Sequence, residues 1–292
     1  MKFGKTDMLV GGRMESGLPV REEYITVSDG VALKVFDFKN ENDNGDGPVV
    51  VFVAGWVSLI SGWTEVLGHL GAHYRTLYVE TREKRSARLP ENQAVDFSVP
   101  RMRMDIRELI ERKIEDGRPF YLAGSSLGAT IILDYMAGNV RQPQAALLIS
   151  PICDFPFPPW LLFIIRFVPA GLYTLVRPIL KLYLKHFRLD RKKEPEQVKK
   201  YEGTIDAAEP IRLKANAYAL KDYSLWNRLH LIQAPVVIIG AKSDTLHGIE
   251  TLEKMVALLP SARLELMQSN KETHSEKVAV FMTEEIARRE HR

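Results

Sequence analysis

Six short runs, one continuously apolar and the others similar to it, constrain the fold of this chain more than any other feature. PVVVFVAG (48–55) is apolar throughout and rich in β-branched residues, the composition of a strand buried on both faces. RTLYVE (75–80), PFYLAG (119–124), AALLIS (145–150), PVVIIG (235–240) and ARLELM (262–267) continue the series. Helix-like segments lie between and after them: DFSVPRMRMDIRELIERKIEDG (96–117), SLGATIILDYMAGN (126–139), GIETLEKMVALLP (248–260) and HSEKVAVFMTEEIARREH (274–291). Strands alternating with helices predict an α/β fold, a mostly parallel central sheet flanked by helices on both faces. Upstream, EYITVSDGVALKVFDF (23–38) reads as two strands around the Asp29-Gly30 turn, and NENDNGDG (40–47) as a polar loop.

Residues 152–225 break the alternation. They open with a stretch rich in proline and aromatic residues and continue as LYTLVRPILKLYLKHFRLDRKKEPEQVKKYEG (172–203), without a convincing strand. The expected organisation is a core of 1–151 and 226–292 with a helical cap inserted at 152–225. Such a cap belongs over the C-terminal edge of the sheet, where open α/β sheets bind ligands.

Composition narrows the function classes. With 292 residues, 46% hydrophobic and 26% charged, the chain is globular in character, and a net charge of +3 gives no support for a nucleic-acid partner. One cysteine, Cys153, rules out an intrachain disulfide. The N-terminal stretch has no apolar core of signal-peptide length. The most apolar segment, FPFPPWLLFIIRFVPAGLYTLV (155–176), contains prolines and Arg166 and is too short in its unbroken part for a membrane span. A soluble, cytoplasmic protein is expected.

The stretch YLAGSSLGAT (121–130) joins the PFYLAG strand to the helix that follows. A phosphate loop needs a lysine after its second glycine, and none is present; a dinucleotide GxGxxG is missing too. The match is GxSxG, over Gly124, Ser125, Ser126, Leu127 and Gly128. A sharp strand-to-helix turn would lift the Ser126 hydroxyl above the sheet, and the helix start would supply unpaired N–H groups. A serine nucleophile needs a base and a group to orient it. Asp244 follows the PVVIIG strand and His274 follows ARLELM, in the order nucleophile, acid, base and on one sheet edge. Both also have a plain structural reading, Asp244 as a turn or helix-cap residue and His274 as a polar residue at a helix start. His247 and His230 rival His274, and Glu250 rivals Asp244. The oxyanion donors would be the backbone N–H groups of Leu127 and of Trp56, after Gly55. No cofactor or metal is expected.

Together these residues resemble the α/β-hydrolase family, in its capped, esterase- and lipase-like branch, over nearly the whole chain. VFVAGW and SGW are similar to the oxyanion strand and loop, AGSSLGA to the nucleophile elbow, LWNRLHLIQAPVVIIGAKSD to the segment leading to the acid, and ETHSE to the histidine loop. The resemblance implies nucleophile, acid and base roles for Ser126, Asp244 and His274. Two departures stand out. Ala54-Gly55 replaces the frequent His-Gly of the oxyanion loop. The family's frequent Asp-x-Arg-Gly-x-Gly pattern reads ETREKRSA (80–87) here, with Arg82 in place and charged residues at both glycine positions. A different path is expected for that loop.

A serine rather than aspartate nucleophile points to acyl chemistry on a small-molecule acyl ester. Thioester cleavage, acyl transfer, carbon–carbon-bond hydrolysis on the same triad, and a non-catalytic binding role stay open. Between 160 and 203 ten Lys/Arg stand against four Asp/Glu, interleaved with aromatic and aliphatic residues. That pattern suits an ordinary amphipathic cap or one that touches anionic lipid. It argues against an aminopeptidase, whose substrate ammonium wants acidic residues. The expected substrate is a lipid-like or medium-chain acyl ester.

Overall fold

A computed structural model describes residues 9–10, 13–14, 18–39, 45–173, 178, 208–244 and 248–291. Strands β1 (Leu9–Val10) and β2 (Arg13–Met14) form a separate two-stranded antiparallel ribbon. The remaining strands are β3 (Val20–Thr26), β4 (Ala32–Phe38), β5 (Val49–Val53), β6 (Arg75–Val79), β7 (Phe120–Ser125), β8 (Ala145–Ile149), β9 (Val236–Ala241) and β10 (Ala262–Met267). They make one eight-stranded sheet in the order β10-β9-β8-β7-β5-β6-β4-β3. The run from β10 to β6 is parallel, and β4 pairs antiparallel with both β6 and β3.

Helices α1 (Thr64–His73), α2 (Val99–Lys113), α3 (Leu127–Met136), α6 (Ile249–Leu258) and α7 (Glu276–Glu290) cover the sheet, while α4 (Pro159–Phe167) and α5 (Pro210–Leu220) belong to the segment 152–225. The apolar runs are explained by burial on both faces. Val49, Val51 and Val53 point into one core with Met102, Ile106 and Leu109 of α2. Val50 and Phe52 point into the other, with Val66, Leu67 and Leu70 of α1 and Val278, Met282 and Ile286 of α7. With a side-chain period of two, a strand covered on both sides has no position left for a polar residue. Each such side chain contributes about 1.5–3 kcal/mol by leaving water. Helix α2 starts where the Ser98 hydroxyl accepts from the Arg101 N–H, and α7 where the Ser275 hydroxyl accepts from the Lys277 N–H.

The loop after β6 holds the ETREKRSA stretch. Arg82 is wholly buried. Its Nε and Nη2 donate to Asp105 at 2.7 and 2.6 Å, its Nη1 and Nη2 to Asp29 at 2.7 and 3.2 Å, and its Nη1 also to the Asp96 carbonyl at 2.8 Å. The two charged residues at the family's glycine positions, Glu83 and Arg85, have no positive φ, so neither position needs a glycine here. Burial pushes the Glu83 carboxyl up and the neighbouring Lys84 amine down from their ordinary values.

The described parts of 152–225 contain no strand beyond an isolated bridge between Asp154 and Ser224. Helix α5 is tied to the sheet edge through Arg212, whose Nη1 donates to the carbonyls of Lys84 and Ala87 at 2.6 and 2.9 Å. The Asn216 Nδ2 donates to the Phe97 carbonyl at 2.7 Å. Among the described residues no helix is long and apolar enough to cross a membrane.

Candidate active site

Ser126 lies between the end of β7 and the first residue of α3, with φ 47 and ψ −118. Its N–H donates to the Ile149 carbonyl on β8 at 2.9 Å, and its carbonyl accepts from the Thr130 N–H at 2.9 Å. The backbone is thus held from both sides in a conformation that costs a non-glycine residue about 1–3 kcal/mol. The tightness comes from Gly128, where an added Cβ would stand 2.1 Å from the Val53 carbonyl oxygen. Only glycine lets α3 start this close to β5. Ser126 is partly exposed, while Ser125 is buried as the last residue of β7.

The loop after β5 runs alongside. A Cβ on Gly55 would lie 3.4 Å from the Ser126 Cβ, so Trp56 follows directly beside the elbow. Val57, next in line, has φ 48, a genuine outlier for a β-branched residue. Among the described residues four non-glycines have positive φ: Val57, Ser126, Ser150 and Asn92. The first three stand past the C-terminal ends of β5, β7 and β8, and asparagine tolerates that region most readily. Backbone strain is therefore gathered at the one sheet edge where the candidate residues lie.

Asp244 and His274 occupy the loops after β9 and β10, on the same edge. The Asp244 N–H donates to the Ala241 carbonyl at 3.1 Å, closing a turn. Its Oδ2 accepts from the Ser150 hydroxyl at 3.2 Å. His274 ends a short 3-10 turn, Glu272–His274, rather than opening α7. Its Nδ1 lies 3.0 Å from the Asn270 carbonyl oxygen and 3.0 Å from the Thr273 hydroxyl, which itself donates to that carbonyl at 2.9 Å. A carbonyl can only accept, so this network assigns the ring proton to Nδ1 and leaves Nε2 as the acceptor. The imidazole packs on the Trp63 ring at 4.3 Å, and the Trp63 Nε1 donates to the Ser58 hydroxyl at 2.8 Å. The two loops are tied together where the Asn270 N–H donates to the Ser243 hydroxyl at 3.2 Å.

Of the rivals, His230 and Glu250 are exposed on the short helix after Leu225 and on α6, and His247 lies outside the described residues. Ser150, Asn270 and Trp63 were not singled out as site residues by the sequence. Ser150-Pro151 at a strand end is visible in it, but its left-handed backbone and its reach to Asp244 are not. The described residues include no group of three or more His, Cys, Asp or Glu placed to hold a metal ion.

Comparison with known proteins places the chain in a family. The family model described as serine aminopeptidase, S33, an α/β-hydrolase family, matches residues 96–275. No curated protein matches the chain. An enol-lactonase from Burkholderia xenovorans superposes with a TM-score of 0.71 at 16% identity, over 92% of this chain and 100% of that one. A thermophilic esterase from Thermogutta terrifontis gives 0.70 at 16% over 92% and 99%, and an esterase from Exiguobacterium antarcticum 0.70 at 20% over 92% and 100%. At such identities the structures establish the fold alone, and the family match covers more than half of the chain. The chain belongs to the α/β-hydrolases, in the serine aminopeptidase S33 family, and is a hydrolase.

Proposed function

We propose that this hydrolase cleaves carboxylic esters, with Ser126 as nucleophile, His274 as general base and Asp244 as the acid that orients it. The observation that carries the reading is the strained elbow at Ser126, packed against the Gly55 loop on the strained edge. Strain of this kind persists where the surroundings over-determine it, and it gathers at catalytic sites.

In the proposed reaction the Ser126 Oγ attacks the ester carbonyl while the His274 Nε2 takes its proton. The tautomer assigned above leaves Nε2 ready for that step. Asp244 stabilises the imidazolium, and the Ser150 hydroxyl fixes the carboxylate. The N–H groups of Leu127 and Trp56 meet the oxyanion. His274 then protonates the departing alcohol, and a water activated by His274 releases the acid from the acyl-enzyme. None of these steps calls for a cofactor. Residues 152–225 serve as the cap, with α5 anchored through Arg212 and Asn216 above the strand ends. The interleaving of basic with aromatic and aliphatic residues between 160 and 203 favours lipid-like or medium-chain acyl esters. A buried lone thiol at Cys153 fits a cytoplasmic setting.

Turnover of p-nitrophenyl esters of rising chain length, run beside acyl-CoA and aminoacyl p-nitroanilides, tests the substrate class. Ester turnover that peaks at medium chains is expected. Cleavage of the anilides alone would replace the reading with an aminopeptidase, the activity in the matched family's description.

A further inference from the structure

We propose that the outer face of α4 and α5 is a docking surface for anionic lipid bilayers, which brings the mouth of the site to its substrate. The purpose of this surface rests on the ester-hydrolase reading; its test does not. Helix α4 has its apolar face turned outward. Trp160, Phe163 and Phe167 follow at i, i+3 and i+7, the spacing of one helix face, and all three are exposed, the phenylalanines at 61% each. Leu161 and Leu162, on other sides of the helix, are less exposed. A helix that meets only water on its outer side carries charged or polar residues there. This one instead presents stacked rings, Phe163 and Phe167 with centroids 4.9 Å apart.

Helix α5 packs against α4 and itself exposes Ile211, at 67%, and Tyr218. Single exposed apolar residues are ordinary, but a contiguous group of them marks an interaction site. The charges around the rings select the partner. The Arg166 guanidinium lies 5.5 Å from the Phe167 ring centre, and the Lys221 Nζ, which also pairs with Asp222, lies 4.9 Å from that of Tyr218. Over 152–225 the sequence holds thirteen Lys/Arg and eight Asp/Glu, against twenty-seven and twenty-nine in the rest of the chain. Positive charge is thus concentrated in the segment that exposes the aromatics. Aromatic rings inserted at the headgroup level beside basic side chains are the chemistry that binds an anionic bilayer surface.

Co-sedimentation with phosphatidylcholine vesicles, with and without about 30% phosphatidylglycerol, tests this on the full chain. Binding to the anionic vesicles that weakens as salt rises is expected, with little to the neutral ones. The double variant Phe163→Glu/Phe167→Glu removes exposed rings and is expected to lose about tenfold or more of that binding. Its thermal melting and its turnover of a short water-soluble ester are expected to stay unchanged. The proposal is overturned if the wild type ignores anionic vesicles at low salt, or if the double variant binds them equally well. It is also overturned if the variant instead dissolves a concentration-dependent dimer of a wild type that does not bind vesicles, since the face would then be a contact between two copies. Vesicle binding without turnover of any ester would sink the ester-hydrolase reading and leave the docking surface standing.

Discussion

Two polar constellations lie on the same edge of the sheet, and they are built in opposite ways. Around Arg82 every guanidinium donor is spent on Asp105, Asp29 or the Asp96 carbonyl, and the side chain is wholly buried. Around Ser126 the side chain is partly exposed, the backbone is strained, and the supporting bonds run from the Ser150 hydroxyl to Asp244 and from His274 to the Asn270 carbonyl. The first is closed and joins the β3–β4 turn, the β6 loop and α2. The second is partly exposed and lies past the ends of β7, β8, β9 and β10. Buried charge therefore does not mark the candidate site in this molecule. Conformational strain beside an accessible hydroxyl does.

Substitutions can break that contrast, and their effects fall in a clear order. His274→Ala is expected to cut ester turnover by about 10⁴–10⁶-fold, with melting unchanged, while His230→Ala leaves the rate alone. Steady-state kinetics on the two variants checks this. Arg82→Ala reverses the pattern: it strands Asp105 and Asp29 and is expected to cost about 3–5 kcal/mol in urea unfolding, with turnover per folded molecule nearly intact. Equal damage to rate and stability by either substitution would erase the distinction. Ser150→Ala is expected to have an intermediate effect. Losing one hydrogen bond to Asp244, worth about 1 kcal/mol, is expected to lower kcat/KM about fivefold and to move its pH profile, a change a purely structural serine would not cause. The smallest effect belongs to Ser125→Ala, expected to stay within about twofold of wild-type turnover because that hydroxyl lies in the buried strand end rather than at the elbow.

The inner strands of the sheet were legible because strands buried on both faces are apolar at almost every position; β10, an edge strand that carries Arg263 and Glu265 and is half-buried, is the exception. ARLELM (262–267) coincides with β10, and the other runs differ from the observed strands by a residue or so at their ends. Helix α1 was not legible. TEVLGHLGAH carries Gly68 and Gly71, which weaken any helix signal. Gly71 is there for packing: a Cβ on it would stand 2.6 Å from the Leu18 Cδ2 and 3.0 Å from the Phe38 Cβ. At the site, GxSxG and the chain order of serine, aspartate and histidine could be read directly. Ser150 and Val57 could not, because a left-handed backbone leaves no trace when the residue is not glycine. The ETREKRSA stretch looked like a departure from its family, yet its arginine proves to be the centre of a closed network, a property that depends on partners 23 and 53 residues away in sequence.

The central claim is that Ser126, and not its neighbour, is the nucleophile. Labelling with a fluorophosphonate probe, read by intact mass, tests it most directly. One adduct is expected on the wild type and on Ser125→Ala, and none on Ser126→Ala. An adduct on Ser126→Ala, accompanied by undiminished ester turnover, would contradict it.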